Sequence, residues 1–244
     1  MWPELYLYLL LHMQDIAVAS SPVDRPLASR YRWLSLVEIA LGTFFVIGHN
    51  VFHIMPNEVP ILFVFFWVSF WLRDGGWSVA GLTSPKSWGK TVLMAITAAA
   101  VLLVGSQLVI QPLASHFWPS PENVSSVLKI PVHDWKVGLR SLAIVWIFAG
   151  FGEEMGYRGY LLTRAADLGN RSKIAYIVAM LYVAVLFGLG HVYKGPAGIM
   201  DSTYSGVVLG GIYLLSGRNL WVPILAHGIT DTVAVVAIFM GWAT

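Results

Sequence analysis

Two adjacent glutamates and an arginine, Glu153, Glu154 and Arg158, stand in the run GFGEEMGYRGYLL at residues 150–162, directly behind the apolar run SLAIVWIFA. A charged side chain near a bilayer centre costs roughly 2.5 to 3.5 kcal/mol even on the lenient insertion scale, so such residues face a protected interior and mark a function. On a helix, Glu154 and Arg158 are one turn apart with the acid N-terminal to the base, the better order for an ion pair. Glu153 falls about one hundred degrees around that helix. One carboxylate then has a partner and its neighbour is free. In a soluble helix the same spacing is ordinary surface charge; inside an apolar span it is the start of a site.

Two further turn-spaced pairs follow. FGLGH puts Phe187 and His191 on one face, and LAHGITDT does the same for His227 and Asp231. Taken singly, a histidine at a helix end is a cap, and a histidine–aspartate pair fills a polar gap. Three helices that each present such a face are explained most cheaply by a shared interior site. Its chemistry would be hydrolytic: a desolvated carboxylate is a competent general base for water, and peptide cleavage needs a donor or cation for the oxyanion. With the histidines neutral, the six polar residues carry three negative charges and one positive, an excess that favours a bound cation or extra protons.

The elements that must hold these residues are membrane helices. The chain has 244 residues, is 57% hydrophobic and 11% charged, and has a mean hydropathy of +0.69, against roughly 25% charge in a soluble domain. A net charge of +2, with basic residues scattered through short connections, gives no nucleic-acid surface. The absence of cysteine excludes disulfides, thiolate metal sites and cysteine nucleophiles. The N-terminus MWPELYLYLLLHM lacks the basic start of a cleaved signal peptide.

Apolar stretches near 35–55, 59–72, 91–113, 139–162, 174–191, 199–216 and 220–241 mostly reach the length of a crossing helix. Residues 5–19, with His12, Gln14 and Asp15, either lie in the interface or form an eighth helix. The expected fold is all-α, a polytopic membrane bundle of seven to eight helices with an interior polar site. It comprises an N-terminal segment, residues 1–33, and one helical domain, residues 34–244. Arg25, Arg30 and Arg32, then Arg73, Lys86 and Lys90, then Arg164, Arg171 and Lys173, with Arg218, fall on one side and place it in the cytoplasm, although Lys129, Lys136 and Arg140 lie opposite. Ser202, Gly206 and Gly210 form a small-residue stripe for close helix packing, and Gly150, Gly152, Gly156 and Gly159 lighten the surface around the glutamates.

EEMGYR, FGLGH and HGITD resemble the motifs EExxxR, FxxxH and HxxxN/D of the CaaX protease and bacteriocin-processing family of intramembrane peptidases, also called the Abi family. GWSVAGLTSPKSW at 76–88 and SGRNLWVPILAHG at 216–228 are similar to further family segments, so the resemblance covers about residues 75–235. It implies an eight-helix bundle with a site open to the membrane interior. It also implies an endopeptidase of a bacterial or archaeal cell membrane that acts on a membrane-associated or lipidated peptide or protein. Glu153 becomes the base for the hydrolytic water and His191 its aid. Glu154 and Arg158 brace the site, while His227 and Asp231 face the scissile carbonyl or a metal. Asp231 stands where the asparagine variant could donate to an oxyanion, which an ionised aspartate cannot do. Glu153, His191, His227 and Asp231 therefore could also hold a divalent metal such as zinc, making the protein a metalloprotease.

Other membrane proteases fit worse. HExxH is absent, TYSG at 203–206 lacks the first glycine of GxSG, and GIMD at 198–201 is not GxGD. The rival from another class is a non-catalytic immunity or binding protein, or a small ion-coupled transporter; no two-half symmetry of broken helices supports the latter.

Overall fold

The structure is a computed structural model that describes residues 29–118 and 132–242. Among these residues it contains seven helical rods: α1 (Ser29–Asn50), α2 (Glu58–Asp74), α3 (Trp88–Phe117), α4 (Trp135–Asp167), α5 (Lys173–Leu189), α6 (Gly195–Leu215) and α7 (Trp221–Phe239). The seven apolar stretches thus each become a helix. The segment 5–19 lies outside the described residues. Four rods, α1, α3, α4 and α7, are individually long and apolar enough to cross a membrane, whereas α5 and α6 pass that test only as a pair. At 17 residues α2 is as short as α5, and its start is polar: Asn57 Oδ1 accepts from the Val59 amide at 3.0 Å and Glu58 opens the helix.

Large apolar side chains point outward, as lipid requires. Leu93, Leu108 and Ile174 are 65%, 72% and 75% exposed, a surface no water-soluble monomer tolerates around its whole girth. The protein is an integral membrane protein. Its interior is organised around α4, whose glycines admit neighbours closely. A Cβ on Gly156 would meet the Leu62 side chain at 3.0 Å and one on Gly159 would meet Phe66 at 2.8 Å, so α2 nests on the glycine face. The Gly206 stripe works as the spacing predicts: a Cβ there would come within 2.7 Å of the Ala184 backbone, and α5 and α6 form the most closely packed helix pair.

The segments 76–88 and 216–228 meet in space. Gly81, at φ +81°, lies so near Arg218 that a Cβ would sit 1.5 Å from its carbonyl oxygen, and Gly81 O accepts from Leu220 N at 3.2 Å. Only glycine fits there. Asn219 Nδ2 donates to Thr91 Oγ1 at 3.0 Å and fastens the same corner to α3.

The basic residues near the helix ends correct one expectation. Arg73, Arg164 and Arg171 gather at one end of the bundle, but as buried residues and not as loop charges. Arg164 is fully buried and reaches Asp74 at 2.7 Å, Glu38 at 3.1 Å and Asp167 at 3.2 Å. Arg171 binds Asp167 at 2.5 Å and Asp74 at 3.1 Å, and Arg73 pairs with Glu38. Burial by itself lowers the Arg171 pKa, but the Asp167 and Asp74 carboxylates outweigh it and the net shift is upward, so the group stays charged. Three guanidinium groups and three carboxylates thus neutralise one another between α1, α2 and α4, which is why they tolerate burial.

Candidate active site

The middle of α4 is wider than a 3.6-residue helix. Val145–Glu153 and Met155–Leu161 are π-helical, with bonds spanning five residues, and such turns concentrate at functional positions. The hundred-degree step expected between Glu153 and Glu154 is therefore smaller, yet the predicted ion pair forms. Arg158 Nη1 donates to Glu154 Oε1 at 2.7 Å, with both side chains fully buried.

Helix α7 completes this pair. His227 Nδ1 lies 2.8 Å from the same Glu154 oxygen, and its Nε2 is 3.7 Å from Asp231 Oδ2. The approach is possible because α4 and α7 meet glycine to glycine: a Cβ on Gly150 would be 3.3 Å from Gly228 Cα. Trp146 packs on Gly228 and donates from Nε1 to Thr232 Oγ1 at 3.0 Å, fixing the register. Helix α5 enters through Phe187, whose ring lies under the Arg158 guanidinium at 4.4 Å. The His191 and His227 rings are 4.7 Å and 6.0 Å from it. His191 Nδ1 is 2.8 Å from Phe187 O; a carbonyl only accepts, so Nδ1 carries the proton and Nε2 presents a lone pair.

A polar cavity of about 280 Å³ opens between the end of α1, the start of α2, α4 and the α5–α6 connection. Glu153, His191, Tyr157, Tyr193, Asn50 and Glu58 are among the side chains that line it. Glu153 Oε2 is buried there with no hydrogen-bond partner. Of the four residues Glu153, His191, His227 and Asp231, the first two line this cavity, while His227 and the partly exposed Asp231 join the buried Glu154 and Arg158 in an adjacent chain of contacts. The two groups remain in electrostatic contact, since Glu153 feels His227, Asp231, Glu154 and the nearby Lys194. Neither Glu58 nor Tyr157 stands out in the sequence as a site residue; the one available signal is an acid beside the polar residues Asn50 and Asn57 between two apolar runs.

The suggested metal set does not close. Among the described residues, no group of three or more His, Asp or Glu side chains converges tightly enough to hold a metal ion, and both ring nitrogens of His227 face carboxylates. What the arrangement offers is a free carboxylate beside an imidazole lone pair, next to a braced glutamate, arginine and histidine.

The all-helical bundle and its apolar outer surface define the class: an integral membrane protein with a polar glutamate–histidine cluster in its interior. Residues 135–233, which contain all three motifs, match the family model described as type II CAAX prenyl endopeptidase Rce1-like. No curated protein and no solved structure matches the chain.

Proposed function

We propose that the protein is an intramembrane endopeptidase that hydrolyses a peptide bond of a membrane-associated or lipidated peptide or protein, with Glu153 as general base. The observation that carries this reading is the Glu153 carboxylate, whose buried Oε2 has no partner inside a polar cavity shared with His191. A water molecule between Glu153 Oε2 and the His191 Nε2 lone pair would lose a proton to the carboxylate as its oxygen attacks the scissile carbonyl. The same proton then goes to the leaving amine as the C–N bond breaks. His227 polarises the carbonyl with Asp231 beside its Nε2, and Glu154 with Arg158 holds His227 in place through the shared oxygen.

This reading routes no step through a metal. The test is product identification by mass spectrometry, incubating wild-type protein and Glu153→Gln in detergent with membrane-anchored peptides, together with metal content and melting temperature of both. Cleavage by the wild type and none by a folded mutant supports the base assignment. Loss of a bound cation in the mutant moves Glu153 from base to ligand. A wild-type protein that binds peptides without cutting them returns the site to a binding or immunity role.

A further inference from the structure

Glu153 is not the only carboxylate left open in the cavity. Glu58, at the start of α2, has a side chain only 6% exposed. Its Oε1 accepts from the Tyr157 hydroxyl at 3.2 Å, and its Oε2 is buried with no hydrogen-bond partner. The nearest ionisable nitrogen is His49 Nε2 at 3.9 Å, beyond hydrogen-bond reach. His49 Nδ1 is 2.9 Å from Met55 O, which holds the ring with Nε2 toward Glu58. Elsewhere among the described residues, Glu38, Asp74 and Asp167 each meet a guanidinium. In the cavity two acids, supplied by different helices, each keep an oxygen without a partner, and no lysine or arginine is among the lining residues. Lys194 acts on Glu153 from outside that lining.

We propose that this cavity receives a cationic nitrogen of the bound peptide, an ammonium or guanidinium group, which Glu58 meets and positions beside Glu153. The inference rests on the cavity being the peptide site. A buried carboxylate without a partner is costly, and an incoming cation satisfies the open Glu58 oxygen while leaving Glu153 to the water. A C-terminal carboxylate in the same place would face two acids instead. The preferred substrate class is therefore a peptide with a basic side chain or a free α-amine near the bond to be cut. Tyr157 keeps the Glu58 carboxylate oriented: it is itself wedged against Gly190, where a Cβ would be 2.9 Å from the Tyr157 hydroxyl.

The test measures equilibrium binding of synthetic peptides to the purified full chain in detergent by isothermal titration. Peptide pairs differ at one residue, lysine against norleucine or arginine against citrulline, and each is made with a free and an acetylated N-terminus. The wild type should bind the cationic member about 10-fold tighter or more, and Glu58→Gln should bring the ratio near one, as expected on losing one partner of a desolvated charge pair. Loss of the preference on acetylation assigns the cation to the α-amine; persistence assigns it to the side chain. Equal binding of both members by the wild type, or an undiminished ratio in Glu58→Gln, overturns the proposal. If Glu58→Gln does not fold, Tyr157→Phe, which removes the hydroxyl that orients the carboxylate, should lower the ratio, and an undiminished ratio in that variant overturns the proposal. Binding needs no turnover, so an inactive Glu153→Gln with an unchanged cation ratio separates this inference from the base assignment.

Discussion

Glu154 and His227 lie 73 residues apart on different helices, yet one carboxylate oxygen of Glu154 accepts from His227 at 2.8 Å and from Arg158 at 2.7 Å. This single atom joins α4 to α7. Removing either donor strands charge in a place without water. Arg158→Ala should destabilise the bundle by about 3–5 kcal/mol, the usual cost of breaking a buried pair from one side. Glu154→Gln keeps an acceptor oxygen and should cost less. Both should lose activity along with folded yield, as read from thermal unfolding in detergent. A wild-type melting temperature in both variants would remove the bracing role.

Glu153→Gln should behave in the opposite way. The side chain keeps its shape and can still hold a water, but it cannot take up that water's proton. Turnover should fall by about 10²-fold to 10⁴-fold with little change in melting temperature. A parallel fall in stability would make the residue structural.

Gly206→Leu tests the α5–α6 seam. With the Ala184 backbone 2.7 Å from the position of a Cβ, a leucine must push the helices apart. Overpacking of this kind costs about 1–3 kcal/mol. His191 lies two residues past the end of α5, so activity should fall more than stability alone explains, measured as turnover per folded molecule at a temperature where both proteins are native.

At the other end of the bundle, Arg164→Ala removes the guanidinium shared by Glu38, Asp74 and Asp167. The expected loss is again about 3–5 kcal/mol, since three acids are left with two cations. Lys173→Ala, at an exposed position, should stay within about 0.5 kcal/mol. Equal melting temperatures for the two variants would contradict the buried network.

Much of this was legible in the sequence because it is local. Helix existence follows from apolar length, and Glu154 with Arg158 and His227 with Asp231 are each one turn apart on a single helix, whereas His191 falls two residues past the end of the helix that carries Phe187. What escaped is what depends on which distant elements meet. Glu58 reads as the acidic first turn of a short span, and nothing in its neighbourhood says that Tyr157, 99 residues on, will donate to it. Arg164 and Arg171 read as loop charges because their carboxylate partners include Glu38 and Asp74, from α1 and α2. The π-helical turns of α4 have no periodic signature in a run that is apolar on every side, and the split between cavity-lining and bracing residues follows from that local geometry.

Two helices connect the paired network to the cavity. Helix α2 has Arg73 and Asp74 at one end and Glu58 at the other; α4 holds Arg164 and Asp167 in its last turn and Glu153 farther back. Mechanically they are levers clamped at one end, each bearing one of the open carboxylates on its far arm. Along the roughly 24 Å of α2, a tilt of about 5° at the clamp displaces Glu58 by about 2 Å. A misplacement of about 1 Å can cost a reaction about 10²-fold. The six interlocked charges at the base therefore set the aim of the cavity as well as the stability of the bundle, and a mutation there can silence the protein without touching a single residue that meets the substrate.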